Sequence, residues 1–116
     1  MTEIEIAEGN NLIAEFEEKE PSIIKEERID NTAVFREVRF YEMNGLLFRD
    51  IDLKYHFDWN WIIPVLEKCL AYEHLKYNDR NELYAALTEI NIDRLWRTVV
   101  WWLKKTRNDR ITTDVL

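Results

Sequence analysis

Polar and apolar residues alternate most cleanly from Asp50 to Phe57, with Asp50, Asp52, Lys54 and His56 polar and Ile51, Leu53, Tyr55 and Phe57 apolar. A period of two marks a half-buried strand. Just upstream stands Asn44-Gly45, a dipeptide suited to the two-residue type I′ turn because both positions need positive φ. The pattern predicts a β-hairpin over residues 34–57. Centred on that turn, the hairpin opposes Phe40 to Arg49, Val38 to Ile51 and Val34 to Tyr55 on one face, which Leu47, Leu53 and Phe57 join. Tyr41 opposite Phe48, and Arg39 opposite Asp50, fall on the other face together with Phe35. Arg36 and Arg49 come out at the rim of the apolar face. A slip of one residue would turn the whole apolar row to water, so the register should be firm.

Helical spacing flanks the hairpin. Leu12, Ile13 and Phe16 predict a helix over Asn11–Glu18, capped by Asn10 or Asn11 and stopped by Pro21, which has no amide hydrogen to donate. Residues 22–32 show no clear period and read as a connection or a weak strand. Asp58 is the expected cap of a helix from Trp59 to about Tyr77, with Ile62, Val65, Leu66, Cys69, Tyr72 and Leu75 inward and a kink or a loosened opening turn at Pro64. Asn78-Asp79-Arg80-Asn81 breaks the pattern, and a short helix then carries Leu83, Leu87 and Ile90. A last helix, about Ile92 to Arg107, presents Ile92, Leu95, Trp96, Val99, Trp102 and Leu103 at spacings of three and four. Two strands alone are marginal. The expected fold is α+β: an N-terminal helix and an antiparallel β-hairpin covered by two to three C-terminal helices. It should form one domain over residues 1–116, with 1–10 and 108–116 frayed.

Composition supports a packed core, since 47% of the 116 residues are hydrophobic and only two are glycine and two proline. A lone cysteine, Cys69, cannot form an internal disulfide and suits a reducing compartment. The opening Met1-Thr2-Glu3-Ile4-Glu5 lacks the basic-then-apolar order of a signal peptide, and no stretch approaches the ~20 apolar residues that span a bilayer. A cytoplasmic protein without membrane contact is expected.

Charge changes the picture more. The net charge is −7, and residues 1–30 hold ten acids against three bases, leaving the remainder neutral. From Arg94 to Arg110 six bases face Asp109 alone. The chain is thus acidic at its start and basic at its end, and either pole could meet a charged partner or simply be a solvated face.

The run Leu53-Lys54-Tyr55-His56, followed by Trp59-Asn60-Trp61-Ile62-Ile63-Pro64-Val65-Leu66-Glu67-Lys68, resembles a family of small proteins of tailed phages and prophages of Bacteroidetes, which read close to LKYHSSWDWLMPVVEKI here. Near the start, Asn10-Asn11-Leu12-Ile13-Ala14-Glu15-Phe16 is similar to the family's NKLIAEFMG, and Asn91-Ile92-Asp93 leads into a similar closing helix. The resemblance implies a layered α/β domain and no activity, cofactor or catalytic residue. The chain departs from it at Glu17-Glu18-Lys19-Glu20, where the family has a Met-Gly turn. It departs again at Asn60, where Asp is usual, and at Trp101, where a charged residue is usual.

No constellation carries recognisable catalysis or metal chemistry. Alternation puts His56 on the outer strand face, Asp58 has a sufficient role as a cap, and His74 stands alone on its helix. Gly9 and Gly45 cannot make a phosphate loop. Cys69 sits in the predicted core, and Asp50 with Asp52 lacks a cleft. Trp59 and Trp61 read as packing between helix and sheet. Trp101 differs: at about 100° per residue it lies opposite the apolar stripe of its helix, among Arg94, Arg97, Lys104 and Lys105. Cation–π cover by its arginine neighbours or burial against the N-terminal segment would explain it, and so would a protein hot spot or a base-stacking contact. The expectation is a non-catalytic phage accessory protein that binds a host or phage protein, as an inhibitor or anti-defence factor. Its contacts would be Trp101, Arg94, Arg97, Lys104 and Lys105, or the acidic Glu17, Glu18 and Glu20. Nucleic-acid binding through the basic helix and self-association into a homodimer are the alternatives.

Overall fold

The computed structural model describes residues 1–29 and 31–115, with side chains described as far as Ile111. Leu116, in the expected frayed end, lies outside the described residues. The fold is α+β: helix α1 (Glu3–Phe16), strands β1 (Ile23–Arg28), β2 (Phe35–Met43) and β3 (Leu46–Arg49) in one antiparallel sheet of that order, then helices α2 (Trp59–Leu70), α3 (Tyr77–Thr88) and α4 (Ile92–Val115). The chain divides into two compact units, Met1–Leu53 and Lys54–Leu116.

In the first unit, α1 starts eight residues earlier than the expected Asn11. Thr2 is the reason: its hydroxyl accepts the Glu5 amide at 3.1 Å, while Glu3 and Glu5 place negative charge where the helix dipole favours it. Asn10 and Asn11 therefore lie inside the helix and face inward rather than capping it. The helix also ends at Phe16, short of Glu18. Glu18 adopts φ 60°, its amide donates to the Glu15 carbonyl at 3.0 Å, and the Lys19 amide reaches back to Ala14 at 2.9 Å. This is a Schellman ending with glutamate in the left-handed position that glycine usually takes.

The hairpin turn and register follow the sequence. Asn44 and Gly45 have φ 53° and 79°, and the pairs are Phe40–Arg49, Tyr41–Phe48, Glu42–Leu47 and Met43–Leu46. The second strand, however, stops at Arg49. Residues 50–57, which alternate so cleanly, form 3-10 turns at Asp50–Asp52 and Lys54–His56 instead. The alternation is met by one-sided burial of Leu53 and Tyr55, not by a ladder. The weak strand at residues 22–32 is β1, which pairs along β2 from Ile23–Phe40 to Arg28–Phe35.

Asp50 explains the stop. The register sets Arg39 opposite it, yet the Arg39 amide donates to the Asp50 carboxylate at 3.2 Å, so a side chain takes the place of a strand carbonyl. Arg36 grips both carboxylate oxygens, at 3.1 and 3.2 Å, and Asn11 donates at 3.1 Å. The Ile51 amide closes on the same group at 2.8 Å. Meanwhile Asn10, fully buried, donates to the Asp50 and Leu53 carbonyls at 2.9 and 3.1 Å. Tyr41, expected on the outer face, is buried, and its hydroxyl donates to Asn11 at 2.8 Å. Burial pushes the Tyr41 phenol up. Arg36, expected only to sit at a rim, is thus the counter-ion of a fully buried acid.

In the second unit, Asp58 caps α2 as expected, accepting the Asn60 amide at 2.9 Å. The helix passes Pro64 unbroken, and its opening turn carries a tight Trp61-to-Asp58 bond at 3.0 Å. It ends at Leu70 rather than near Tyr77. Tyr72 and Leu75 enter tight turns there, and the Tyr72 ring meets Trp102 edge-on at 5.5 Å. Asn78-Asp79-Arg80-Asn81 does not break the chain but forms the first turn of α3. Ile90 is not inward: at φ 51° and 82% exposed, it belongs to the α3–α4 link. Helix α4 keeps its expected stripe, with Leu95, Trp96, Val99, Trp102 and Leu103 buried. It runs on past Arg107, where Arg110 folds back to the Thr106 hydroxyl (3.0 Å) and the Leu103 carbonyl (2.9 Å).

Two predictions follow from the first unit. Burial alone would raise the Asp50 carboxyl, but the bonds from Arg36, the Arg39 amide and Asn11 outweigh it and hold it below the usual 3.8. A depressed carboxyl contributes stability that is complete above its unfolded value and is lost as pH falls through the folded one. Asp50→Asn is expected to cost about 3 kcal/mol in urea unfolding near pH 7, with the gap to wild type narrowing below about pH 4. Glu18→Gly relieves the left-handed glutamate and should raise stability by up to about 1 kcal/mol, read as a higher urea midpoint.

Candidate functional site

Helix α4 exposes Arg94, Arg97, Trp101, Lys104 and Lys105 together, because offsets of three, four and seven return to one side of a helix. Opposite them the apolar stripe is buried, so the helix is two-faced by necessity. Trp101 is 42% exposed, and the Lys105 ammonium sits 5.0 Å from its ring centroid. A cation–π contact is therefore present, from Lys105 where the sequence pointed to the arginine neighbours, and much of the indole still meets solvent.

The basic residues do not stand as bare charge. Arg97 bonds Asp93 one turn back at 3.0 Å, Arg94 lies 3.7 Å from Glu89, and Lys105 reaches Asp79 of α3 at 2.7 Å. The first two pairs are half exposed and add little stability, yet each cancels local field. The third differs in kind. Asp79 is 2% exposed, and its second carboxylate oxygen, also buried, finds no hydrogen-bond donor among the described residues. Asp79 and Lys105 also line a cavity of about 410 Å³ with Tyr72, His74, Lys76, Thr106 and Asp109.

The acidic trio lies elsewhere, beyond the end of α1: Glu17 is its C-cap residue and pairs with Lys19 at 3.7 Å, Glu18 is the left-handed residue, and Glu20 is exposed. The structure thus assembles the five α4 residues into one face and leaves the acids in the other unit.

Residues weighed for chemistry take other places. His56 is not on a strand. It sits in the 3-10 turn, edge-on to Phe57 at 4.8 Å and to Trp96 at 6.3 Å. His74 is not on a helix but in the α2–α3 connection, beside Tyr72. Cys69 is fully buried. Trp61 packs edge-on to Tyr55 at 5.3 Å. Among the described residues no group of three or more His, Cys, Asp or Glu could hold a metal ion, and no helix is long and apolar enough to cross a membrane.

Sequence reasoning missed Asp79. Its signal is an acid three residues into a helix whose start reads, from sequence, as a break. Removing Lys105 leaves that acid buried without its ion pair, so Lys105→Met should cost about 1–3 kcal/mol in urea unfolding. The exposed Lys104→Met should stay within about 0.5 kcal/mol. Compared with protein-family models, curated proteins and solved structures, the chain matches none.

Proposed function

We propose that this chain is a non-catalytic, phage-type accessory protein of the cytoplasm that binds a host or phage protein through the Trp101 face of α4. An exposed tryptophan on a rigid helix carries the reading, because Trp and Arg supply most interface hot spots and lose little freedom on docking. The Arg97–Asp93, Arg94–Glu89 and Lys105–Asp79 pairs favour protein over nucleic acid. Phosphate binding draws on unneutralised cations, and a net charge of −7 opposes approach. The phage reading gains support from Glu18, whose left-handed backbone falls where the resembled family carries glycine. Inhibition or anti-defence activity is the role such a binder would play, with Glu17, Glu18 and Glu20 as a second contact.

A second reading, self-association, is favoured by one observation. Ile24, Phe35 and Leu46 are 55%, 60% and 63% exposed, and the strand register sets them on one face of the sheet.

The test is a tagged pull-down from host lysate, with and without nuclease, comparing wild type with Trp101→Ala. A discrete protein retained after nuclease and weakened about tenfold or more by the substitution is the expected result. Recovery abolished by nuclease would replace the reading with nucleic-acid binding. A dimer in sedimentation, with no captured protein, would replace it with self-association.

A further inference from the structure

We propose that Asn44 is a self-modification site: its side-chain amide is lost through a cyclic imide, and the isoaspartyl product loosens the β2–β3 hairpin. The site lies at the hairpin tip of the first unit and is independent of the Trp101 face.

The chemistry needs a nucleophile, an electrophile and a leaving group, and two adjacent residues supply all three. The backbone nitrogen of Gly45 attacks Cγ, the side-chain carbonyl carbon of Asn44. An N–Cγ bond forms, the Cγ–Nδ2 bond breaks, and ammonia leaves with the proton that Gly45 gives up. Water, the only co-reactant, then opens the five-membered imide. Breaking the nitrogen's bond to Cγ yields aspartate. Breaking its bond to the main-chain carbonyl carbon of residue 44 yields isoaspartate, which continues the chain through its side chain.

Nine asparagines are present, and the structure sets this one apart. Asn44 alone precedes glycine, so no side chain hinders the attacking nitrogen. Both residues are exposed, and no hydrogen bond among the described residues engages the Asn44 side chain or the Gly45 amide. Six of the others lie within helices, whose dihedrals hold the side-chain carbonyl and the next amide apart. Of the remaining two, Asn31 is followed by Thr32, whose amide donates to the Ile29 carbonyl at 3.1 Å. The Asn91 side chain is held by the Arg94 amide at 3.2 Å.

The closed turn restrains Asn44 as well. With φ at 53° and 79° the pair forms a type I′ turn, where a ψ of about 30° points the Gly45 nitrogen away from Cγ. Attack therefore waits on opening of the tip. Opening costs little here, because β3 is an edge strand of four residues and residues 44–47 are all exposed. The two products then differ in effect. Asp-Gly suits the same turn as Asn-Gly, whereas isoaspartate lengthens the backbone by one carbon and displaces the Met43–Leu46 and Glu42–Leu47 pairs.

The experiment holds the whole chain in warm, mildly alkaline buffer for several weeks, folded and in guanidinium chloride. The tryptic peptide Phe40–Arg49 is followed by mass, and its isoaspartyl form by labelling with protein isoaspartyl methyltransferase. In the folded chain, exchange of amide for carboxyl is expected at Asn44 roughly tenfold or more faster than at any other asparagine, and faster again in the unfolded chain. The isoaspartyl fraction should show a lower urea midpoint than fresh protein. Asn44→Gly keeps a turn that accepts positive φ at both positions and should abolish the change. A folded chain that stays unconverted while the unfolded chain turns over would overturn the proposal. So would equal rates in the two states, another asparagine converting as fast, or a change that persists in Asn44→Gly. An isoaspartyl fraction with the midpoint of fresh protein would overturn it too. None of these outcomes touches the Trp101→Ala pull-down, so the two readings fail separately.

Discussion

One carboxylate, that of Asp50, holds the first unit in its shape. It receives a bidentate guanidinium from β2, a backbone amide from the same strand, a side-chain amide from α1 and the amide of its own successor. Taken out of water, a carboxylate would not remain charged without such partners. With them it ties α1, β2 and the turn after β3 to a single atom group. Asn10 completes the arrangement by donating to the Leu53 carbonyl and to the Asp50 carbonyl, which also takes the Leu53 amide at 3.4 Å. The helix cannot slide, because its two adjacent asparagines are spoken for, and the strand cannot lengthen, because its next rung is occupied.

This interaction also marks where the sequence could and could not be read. The Asn44-Gly45 turn is a local decision, made by the φ each residue tolerates, and the register followed from it pair by pair. The α4 stripe was legible for a similar reason, since 3.6-residue geometry alone sorts its two faces. Asp50 was not legible. Its role depends on Arg36, Arg39 and Asn11, brought together from two other elements, and no period in the sequence records that meeting. The N-terminal helix was misplaced for a different reason: its signal, Thr2 three residues before Glu5, was present and outweighed by the more conspicuous asparagines. β1 is nearly all exposed, so burial never imposed a pattern on it.

The candidate site was half legible in the same sense. Helical arithmetic places Trp101 with its basic neighbours, but the acids that answer those bases come from α3, from the α3–α4 link and from one turn back on α4. Their presence changes the surface from a cationic patch to a mixed one around an exposed indole. Lys105 sits at the hinge of this arrangement, over Trp101 on one side and against buried Asp79 on the other. Whatever engages the helix face or the cavity acts on the same ammonium group.

Strand β1, one of the sheet's two edge strands, has a consequence for how copies of this chain behave in a crowded cell. Its free edge is the natural place for a foreign strand to add, and a smooth apolar edge would recruit one copy after another into fibrils. Four of its six residues are Lys25, Glu26, Glu27 and Arg28. An incoming strand would have to strip water from charges of both signs along most of that length, so this edge is guarded against growth by the same residues that make β1 so hard to recognise.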